Sequence, residues 1–395
     1  MRCRTHIGRR VSEIGLGCYG LSGAYGDKDP EGFIRVIRRA YDLGVTFFDT
    51  ADVYGPGEQI MGRAVAPFRD QVWVATKVGV SADGKPDCSA EHVLSSCEGS
   101  LRRLQTETID LYQIHFDDPE APIGETVDAL ETLKASGKIL HYGVGHVPLP
   151  ALWSYMGSGD VFSALVELSA VARGAREARL PLCQEHNVGV IAFSVTGRGL
   201  LTGEIGPARV FEEGDIRRID PLFQRERFAS GLRVMEEIRA LSEKHGRTPV
   251  QVAIAWVLAQ PGVICALTGP STIPHLEENL GGSGWDIATE DMEALERFFD
   301  GEDERVQREQ VREVRNILSQ ELDPEGAFAD LVYAIEALVD RELATEKEIL
   351  PLFQEVWPLR RQRHRAALRQ MREIQAQLHE RFGPLIADHR ESDIC

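Results

Sequence analysis

From about residue 13 to residue 300 the chain repeats one alternation: a short apolar run rich in Val, Ile and Phe, then a longer segment of helical period. The runs read "EIGLGC", "TFFDTA", "VWVATKV", "IDLYQIH", "ILHYGVG", "FSALVEL", "GVIAFSV" and "VICALTG". Eight strands, each followed by a helical segment, predict an α/β chain closed into a parallel (β/α)8 barrel. The intervening segments carry helix signals. Ser89 caps "SAEHVLSSCEGSLRRL", and Gly137 closes "PIGETVDALETLKASG". Ahead of the first strand, "CRTHIGRRVSEI" reads as a β-hairpin around Gly8, placed to plug the bottom of a barrel. A doubly wound open sheet is the rival architecture. Against it, no G-x-G-x-x-G opens a helix after the first strand, because "GLGCYG" runs into a loop.

After about residue 300 the strand signals vanish. Apolar residues recur at helical spacing and charges fill the other faces, which predicts an all-helical C-terminal extension with breaks near Pro324 and Pro358. The domain division is therefore residues 1–300 for the barrel and 301–395 for the extension. The formal charge of -18 disfavours nucleic acid and anionic membranes and points to a small-molecule partner. The odd set Cys3, Cys18, Cys88, Cys97, Cys183, Cys265 and Cys395 shows no Cys-x-x-Cys and no zinc spacing, so it reads as reduced thiols. With neither a signal peptide nor an apolar span, a cytoplasmic location is expected.

In such a barrel the chemistry sits where strands finish. Asp49 ends the second strand, Tyr54 follows in its loop, Lys77 ends the third in "ATK", and His115 ends the fourth in "YQIH". Each type alone is commonplace; at three successive strand ends they form a set. A tyrosine is a poor acid at neutral pH unless a cation favours its phenolate, and Lys77, steadied by Asp49, is the expected cation. Tyr54 is then a proton donor to a carbonyl oxygen that a neutral His115 orients. The missing hydride is what a nicotinamide supplies.

These residues resemble the aldo-keto reductase superfamily over roughly residues 1–300, through "RVSEIGLG", "GVTFFDTADVYG", "VWVATKVG", "DLYQIH", "ETVDALETLKASGKILHYGVG", "IAFSVTGRGLLTG" and "TPVQVAIAWVLAQPGV" in this order. The resemblance implies a TIM barrel that binds NADPH in an extended pose and reduces aldehydes or ketones, with Asp49, Tyr54, Lys77 and His115 as its catalytic tetrad. It implies that Phe193 stacks on the nicotinamide and that Ser194 and the turn to Gly197 meet the pyrophosphate. "GPSTIPHLEEN" resembles the adenosine-side motif, with Gly269, Ser271 and His275 within it as cofactor-binding residues and Glu278 and Asn279 at the adenine contacts.

Three departures stand out. Where the family usually reads Gly-Val-Ser-Asn after the fifth strand, this chain has Gly145 and His146, and where a glutamine is expected on the sixth strand it has Leu165. His146 then takes over one carboxamide hydrogen bond or faces the substrate. No Lys or Arg in "GPSTIPHLEEN" stands ready for a 2'-phosphate; Arg198, Arg225 or Arg227 would have to compensate. NADP(H) is favoured on the resemblance, with NAD(H) as the alternative.

Tyr19 is a substrate-pocket wall or a packing residue, with "GAYGDKDP" beside it. The loop at about 196–229 is an irregular connection or a belt closing over the dinucleotide. In the extension, Glu336, Asp340, Glu342, Glu346 and Glu348 face a basic set of Arg360, Arg361, Arg363, Arg365, Arg369 and Arg372, read as a helical hairpin of opposed charge, a dimerisation element or a lid. Metal binding through His364 or His379 is disfavoured, because no Glu-x-x-His pair appears. The expected activity is NAD(P)H-dependent reduction of a carbonyl to an alcohol, or the reverse. The alternative is a reductase-like nucleotide-sensing or scaffolding subunit that turns over little.

Overall fold

Each apolar run becomes a strand, because a run of branched and aromatic residues bounded by Gly, Asp or Thr suits a backbone buried on both faces. A computed structural model describes residues 1–24, 29–322, 326–340, 351–352, 355–356, 359 and 365–388. Strands β1 (Cys3–His6) and β2 (Arg9–Ser12) pair antiparallel, with Cys3 opposite Ser12 and His6 opposite Arg9. Ile7 (φ 45°) and Gly8 (φ 71°) both turn left-handed between them, as a two-residue hairpin turn requires.

The eight runs form β3 (Ile14–Gly17), β4 (Phe47–Asp49), β5 (Trp73–Val78), β6 (Ile109–Ile114), β7 (Ile139–Gly145), β8 (Val161–Glu167), β9 (Gly189–Phe193) and β10 (Val263–Thr268). Neighbours pair in parallel, and β10 closes on β3 to complete a barrel in the order β10-β3-β4-β5-β6-β7-β8-β9. The open-sheet rival is thereby excluded. Phe47, Ala75, Leu111, Phe162, Leu165, Ile191 and Cys265 pack as one buried cluster, and Val11 of β2 belongs to it, so the hairpin contributes to the barrel core. Each fully buried Phe, Leu or Ile of this kind contributes about 1.5–3 kcal/mol.

Helices α1 (Pro30–Asp42), α2 (Gly57–Val65), α3 (Ala90–Leu104), α4 (Ile123–Ala135), α5 (Leu149–Ser158) and α6 (Arg179–Glu185) connect successive strands. Asp29 caps α1 by accepting from the Glu31 N–H, and Ser89 caps α3 by accepting from the His92 N–H. Helices α7 (Arg225–His245), α8 (Pro249–Ala259) and α9 (Ile273–Leu280) follow, then α10 (Thr289–Ser319), α11 (Ala327–Asp340) and α12 (Arg365–Asp388).

The chain divides into two compact units, residues 1–205 with 235–292, and residues 206–234 with 293–395. The change of texture near residue 300 falls inside α10, a continuous helix of 31 residues. The second unit has its own core: Met371, Ile374, Leu378 and Phe382 present one apolar stripe of α12, buried in a cluster with Val314, Leu318, Leu331 and Leu338. Gln375 donates to the Ile317 and Gln320 carbonyls at 2.5 and 2.8 Å. Arg372 pairs with Glu321 at 2.6 Å and Arg369 with Glu373 at 3.2 Å. Pro324, Glu342, Glu346, Glu348, Pro358, Arg360, Arg361, Arg363, His364 and Cys395 lie outside the described residues, as do the side chains of Glu336, Asp340 and Arg365 and segment 25–28. Among the described residues no helix is long and apolar enough to cross a membrane, and no group of three or more His, Cys, Asp or Glu is placed to hold a metal.

Candidate active site

Strand β4 stops at Asp49, and the chain turns back on itself at once. The Thr50 N–H bonds the Ala75 carbonyl at 2.9 Å, the Tyr54 N–H bonds Ala51 at 3.2 Å, and the Gly57 N–H bonds Tyr54 at 2.9 Å as α2 begins. This fastened turn returns Tyr54 towards the strand ends. On the neighbouring strands, Lys77 lies in register with Gln113, and the His115 N–H bonds the Val78 carbonyl at 2.7 Å just past β6. Three consecutive strands thus bring the four residues together.

All four are buried: Asp49 is 4% exposed, Tyr54 8%, Lys77 1% and His115 3%. Lys77 Nζ donates to Asp49 Oδ1 at 2.5 Å and to the Thr50 carbonyl at 2.6 Å. It stands 4.9 Å from the centroid of the Tyr54 ring. The Tyr54 hydroxyl and His115 Nε2 are 3.3 Å apart, while His115 Nδ1 is buried without a partner. Tyr19, 41% exposed, sets its ring edge-on to Tyr54 at 5.3 Å.

The electrostatics correct one expectation. Lys77 does not bring the Tyr54 phenol down: burial first, then the Asp49 charge, hold it well above the ordinary phenol range. The physical reason is that Lys77 and Asp49 are a contact ion pair, so the cation's field at Tyr54 is largely offset by its partner. Tyr54 therefore carries its proton. Burial raises the Asp49 carboxyl, opposed by the charge and bond of Lys77 and the bond from Gln113. Burial, then the Lys77 charge, push His115 well below the ordinary imidazole range, which favours a neutral ring.

A row of rings continues along the rim. His115 stacks on Phe116 at 4.3 Å, Phe116 on His146 at 5.0 Å, and His146 lies 4.8 Å from Phe193 at the end of β9. His146 (φ 43°) and Ser194 (φ 53°) take left-handed conformations immediately after their strands, and Gly197 (φ 56°) repeats it. The side chain of His146 is exposed, and that of Phe193 half-buried. Arg198 is engaged by Glu167 at 2.6 Å.

Gly269, Ser271, His275, Glu278 and Asn279 stand apart from the tetrad, after β10 and on α9; Thr272 caps that helix, accepting from the His275 N–H at 3.4 Å. Ser271 and His275 are exposed, Glu278 is half-buried and Asn279 is buried. Since β10 lies between β9 and β3, these residues share the carboxyl rim with Phe193 and Tyr19. Arg225 pairs with Asp330 at 2.6 Å within the second unit.

Two supporting residues escaped the sequence reading. Gln113 Nε2 donates to Asp49 Oδ2 at 3.2 Å, and the Thr50 carbonyl is the second acceptor for Lys77. Gln113 did leave a signal: it lies two residues before His115, so strand alternation puts both on one face. A backbone carbonyl leaves none.

The Aldo/keto reductase family matches residues 13–300. "Probable aldo-keto reductase 1" of Glycine max is 35% identical over 297 residues, spanning 73% of this chain and 85% of that protein. "Aldo-keto reductase YhdN" of Bacillus subtilis (strain 168) is 33% identical over 304 residues, 74% of this chain and 91% of that one. The glycerol dehydrogenase AKR11B4 from Gluconobacter oxydans superposes with a TM-score of 0.70 at 32% identity, covering 76% of this chain and 95% of its own. The aldo-keto reductase AKR11C1 from Bacillus halodurans, in its holo form, superposes at 0.64 with 27% identity, covering 75% and 96%. With its closed barrel and N-terminal hairpin, this chain belongs to the aldo/keto reductase family and is an oxidoreductase.

Proposed function

We propose that the protein reduces an aldehyde or ketone to an alcohol, or runs the reverse, with Tyr54 as the general acid. The observation that carries this reading is the buried contact set, in which Tyr54 meets His115 at 3.3 Å while Lys77 and Asp49 pair beside its ring at 2.5 Å. Tyr54, held protonated by its surroundings, has a proton to give to a carbonyl oxygen. The neutral His115 orients that oxygen. Lys77, its ammonium fixed by Asp49 and the Thr50 carbonyl, stands beside the Tyr54 ring as the phenol gives up its proton.

A bound reduced nicotinamide supplies the hydride. The rim fits such a group: the half-buried ring of Phe193 borders an exposed His146, and left-handed turns follow both β7 and β9. In this reading Phe193 holds the nicotinamide face, His146 bonds its carboxamide, Ser194 and Gly197 meet the pyrophosphate, and Gly269, Ser271, His275, Glu278 and Asn279 hold the adenosine side. NADP(H) is the favoured form, with NAD(H) the alternative, and Tyr19 borders the substrate. The six described cysteines are free thiols, which supports a reducing, cytoplasmic setting.

The test pairs NADPH and NADH titrations with a broad panel of aldehydes and ketones. Tyr54→Phe is expected to bind cofactor as the wild type does and to lose about 10²–10⁴-fold in kcat. Cofactor binding with no turnover on any carbonyl, and Tyr54→Phe indistinguishable from wild type, would instead identify a binding subunit.

A further inference from the structure

One backbone torsion on the carboxyl rim calls for a cause. His146 has φ 43°, in the left-handed region that residues with a side chain seldom occupy. Such a torsion persists only where the surroundings over-determine it, and three constraints meet at this one. Before it, Gly145 is held in the β7 ladder opposite Leu165 of β8. After it, Val147 is buried and precedes Pro148, which biases Val147 to extended backbone. The third constraint is Arg179, whose Nη1 donates to the Val147 carbonyl at 2.6 Å.

The place of Arg179 is not explained by its own helix. It is the first residue of α6 and half-buried, and a cation there faces the positive end of the helix dipole. The Val147 carbonyl, for its part, lies one residue ahead of the Pro148 cap of α5, where the Pro148 carbonyl takes the Leu152 N–H at 2.9 Å. Val147 therefore stands outside the helix ladder, and its buried position calls for a donor from elsewhere. The Arg179 guanidinium supplies that donor and ties the turn after β7 to the helix after β8. The consequence falls on the imidazole. His146 lies 5.0 Å from Phe116 in a stack tilted by 26°, and 4.8 Å from Phe193. Phe116 stacks in turn on His115 at 4.3 Å.

We propose that Arg179 is a positioning residue for the cofactor: by holding the Val147 carbonyl it keeps His146 in its left-handed turn and so aims the imidazole at the nicotinamide carboxamide. The inference rests on the reading above that His146 bonds that carboxamide, and it assigns the residue that sets His146 for the task. Without Arg179 the turn relaxes towards ordinary φ, the imidazole leaves its stack on Phe116, and the carboxamide loses a partner.

The experiment uses the full chain with NADPH, and with NADH in parallel, and has two independent readouts. In the ligand-free protein the His146 ring-proton resonance, identified by its loss in His146→Ala, should carry the ring-current shift of the Phe116 stack and should move in Arg179→Ala. Cofactor affinity, followed by quenching of tryptophan fluorescence, should weaken about five- to tenfold in Arg179→Ala and by a similar factor in His146→Ala. Arg179→Lys, which keeps a donor, should recover part of the loss. The double variant should bind as His146→Ala does, within about twofold, because Arg179 acts through that ring. A His146 resonance unmoved in Arg179→Ala, or a second full loss of affinity in the double variant, overturns the inference and leaves the carboxamide reading of His146 intact. Wild-type affinity in His146→Ala removes His146 from the nicotinamide site and overturns the inference with it, while the chemistry at Tyr54 stands. A wild type that binds neither nucleotide overturns both.

Discussion

Gly145 and Leu165 are register partners on β7 and β8, and a Cβ on Gly145 would lie 3.2 Å from Leu165 Cβ and 3.3 Å from its Cδ2. The two departures from the family's usual residues are thus one packing arrangement: a large side chain on one strand fills the space that a missing side chain on the next leaves open. Gly145→Ser should lower stability by about 1–2 kcal/mol through overpacking. Leu165→Ala in the same chain should recover part of it, with a coupling of about 0.5 kcal/mol or more in a double-mutant cycle of urea unfolding. Strict additivity would show that the two positions do not share that space.

Breaking the Lys77–Asp49 pair from one side should be more costly than removing it whole. Lys77→Met leaves a buried carboxylate with Gln113 as its remaining donor, so a loss of about 3–5 kcal/mol is expected. Lys77→Met with Asp49→Leu should be several kcal/mol more stable than Lys77→Met alone, although both are expected to be inactive. Equal unfolding midpoints for the two chains would argue that the pair is solvated.

Gln113 offers a separation of stability from activity. Gln113→Leu removes a 3.2 Å bond to Asp49 but also a buried Oε1 that has no partner. These effects oppose each other, so stability should change by less than about 1 kcal/mol. Asp49 loses one of its two anchors, and kcat should fall about three- to tenfold with the KM for cofactor little changed. A variant with full kcat would assign Gln113 to packing alone.

At the opposite end of the barrel, His141 stacks on Trp73 at 5.4 Å and meets Phe162 at 4.6 Å, with Nε2 buried and unpartnered. Burial, then Arg9 and Lys134, lower its imidazole pKa to about 4. Below the ordinary imidazole range the unfolded chain binds a proton that the folded one refuses, so stability present at neutral pH is lost as pH falls towards about 4. The expected loss from this residue is about 1–2 kcal/mol, reduced from the full linkage value because the ring is partly exposed. His141→Phe keeps the stacking and should be less acid-sensitive than wild type, a difference that thermal unfolding at pH 7 and at about pH 4.5 would read. Parallel acid slopes would rule out this role.

What the amino-acid order determined by itself is the set of elements and the placing of polar groups at their ends. Parallel barrel strands are buried on both faces and read as unbroken apolar runs, so all eight strands and the hairpin at Gly8 are visible, and Asp49, Lys77 and His115 stand out as the polar residues that end them. The change of texture near residue 300 is equally plain, yet α10 runs through Gly301, since one glycine costs a helix about 1 kcal/mol and does not stop it. Only the tertiary structure decided how these groups act on each other. Burial, then the Asp49 charge, hold the Tyr54 phenol up where a cation was expected to bring it down; Gln113 reaches Asp49 across 64 positions of chain; Gly145 and Leu165 trade volume across a ladder. Each of these depends on distance and on access to water, which the order of residues along a chain does not encode locally and which the closing of the barrel creates.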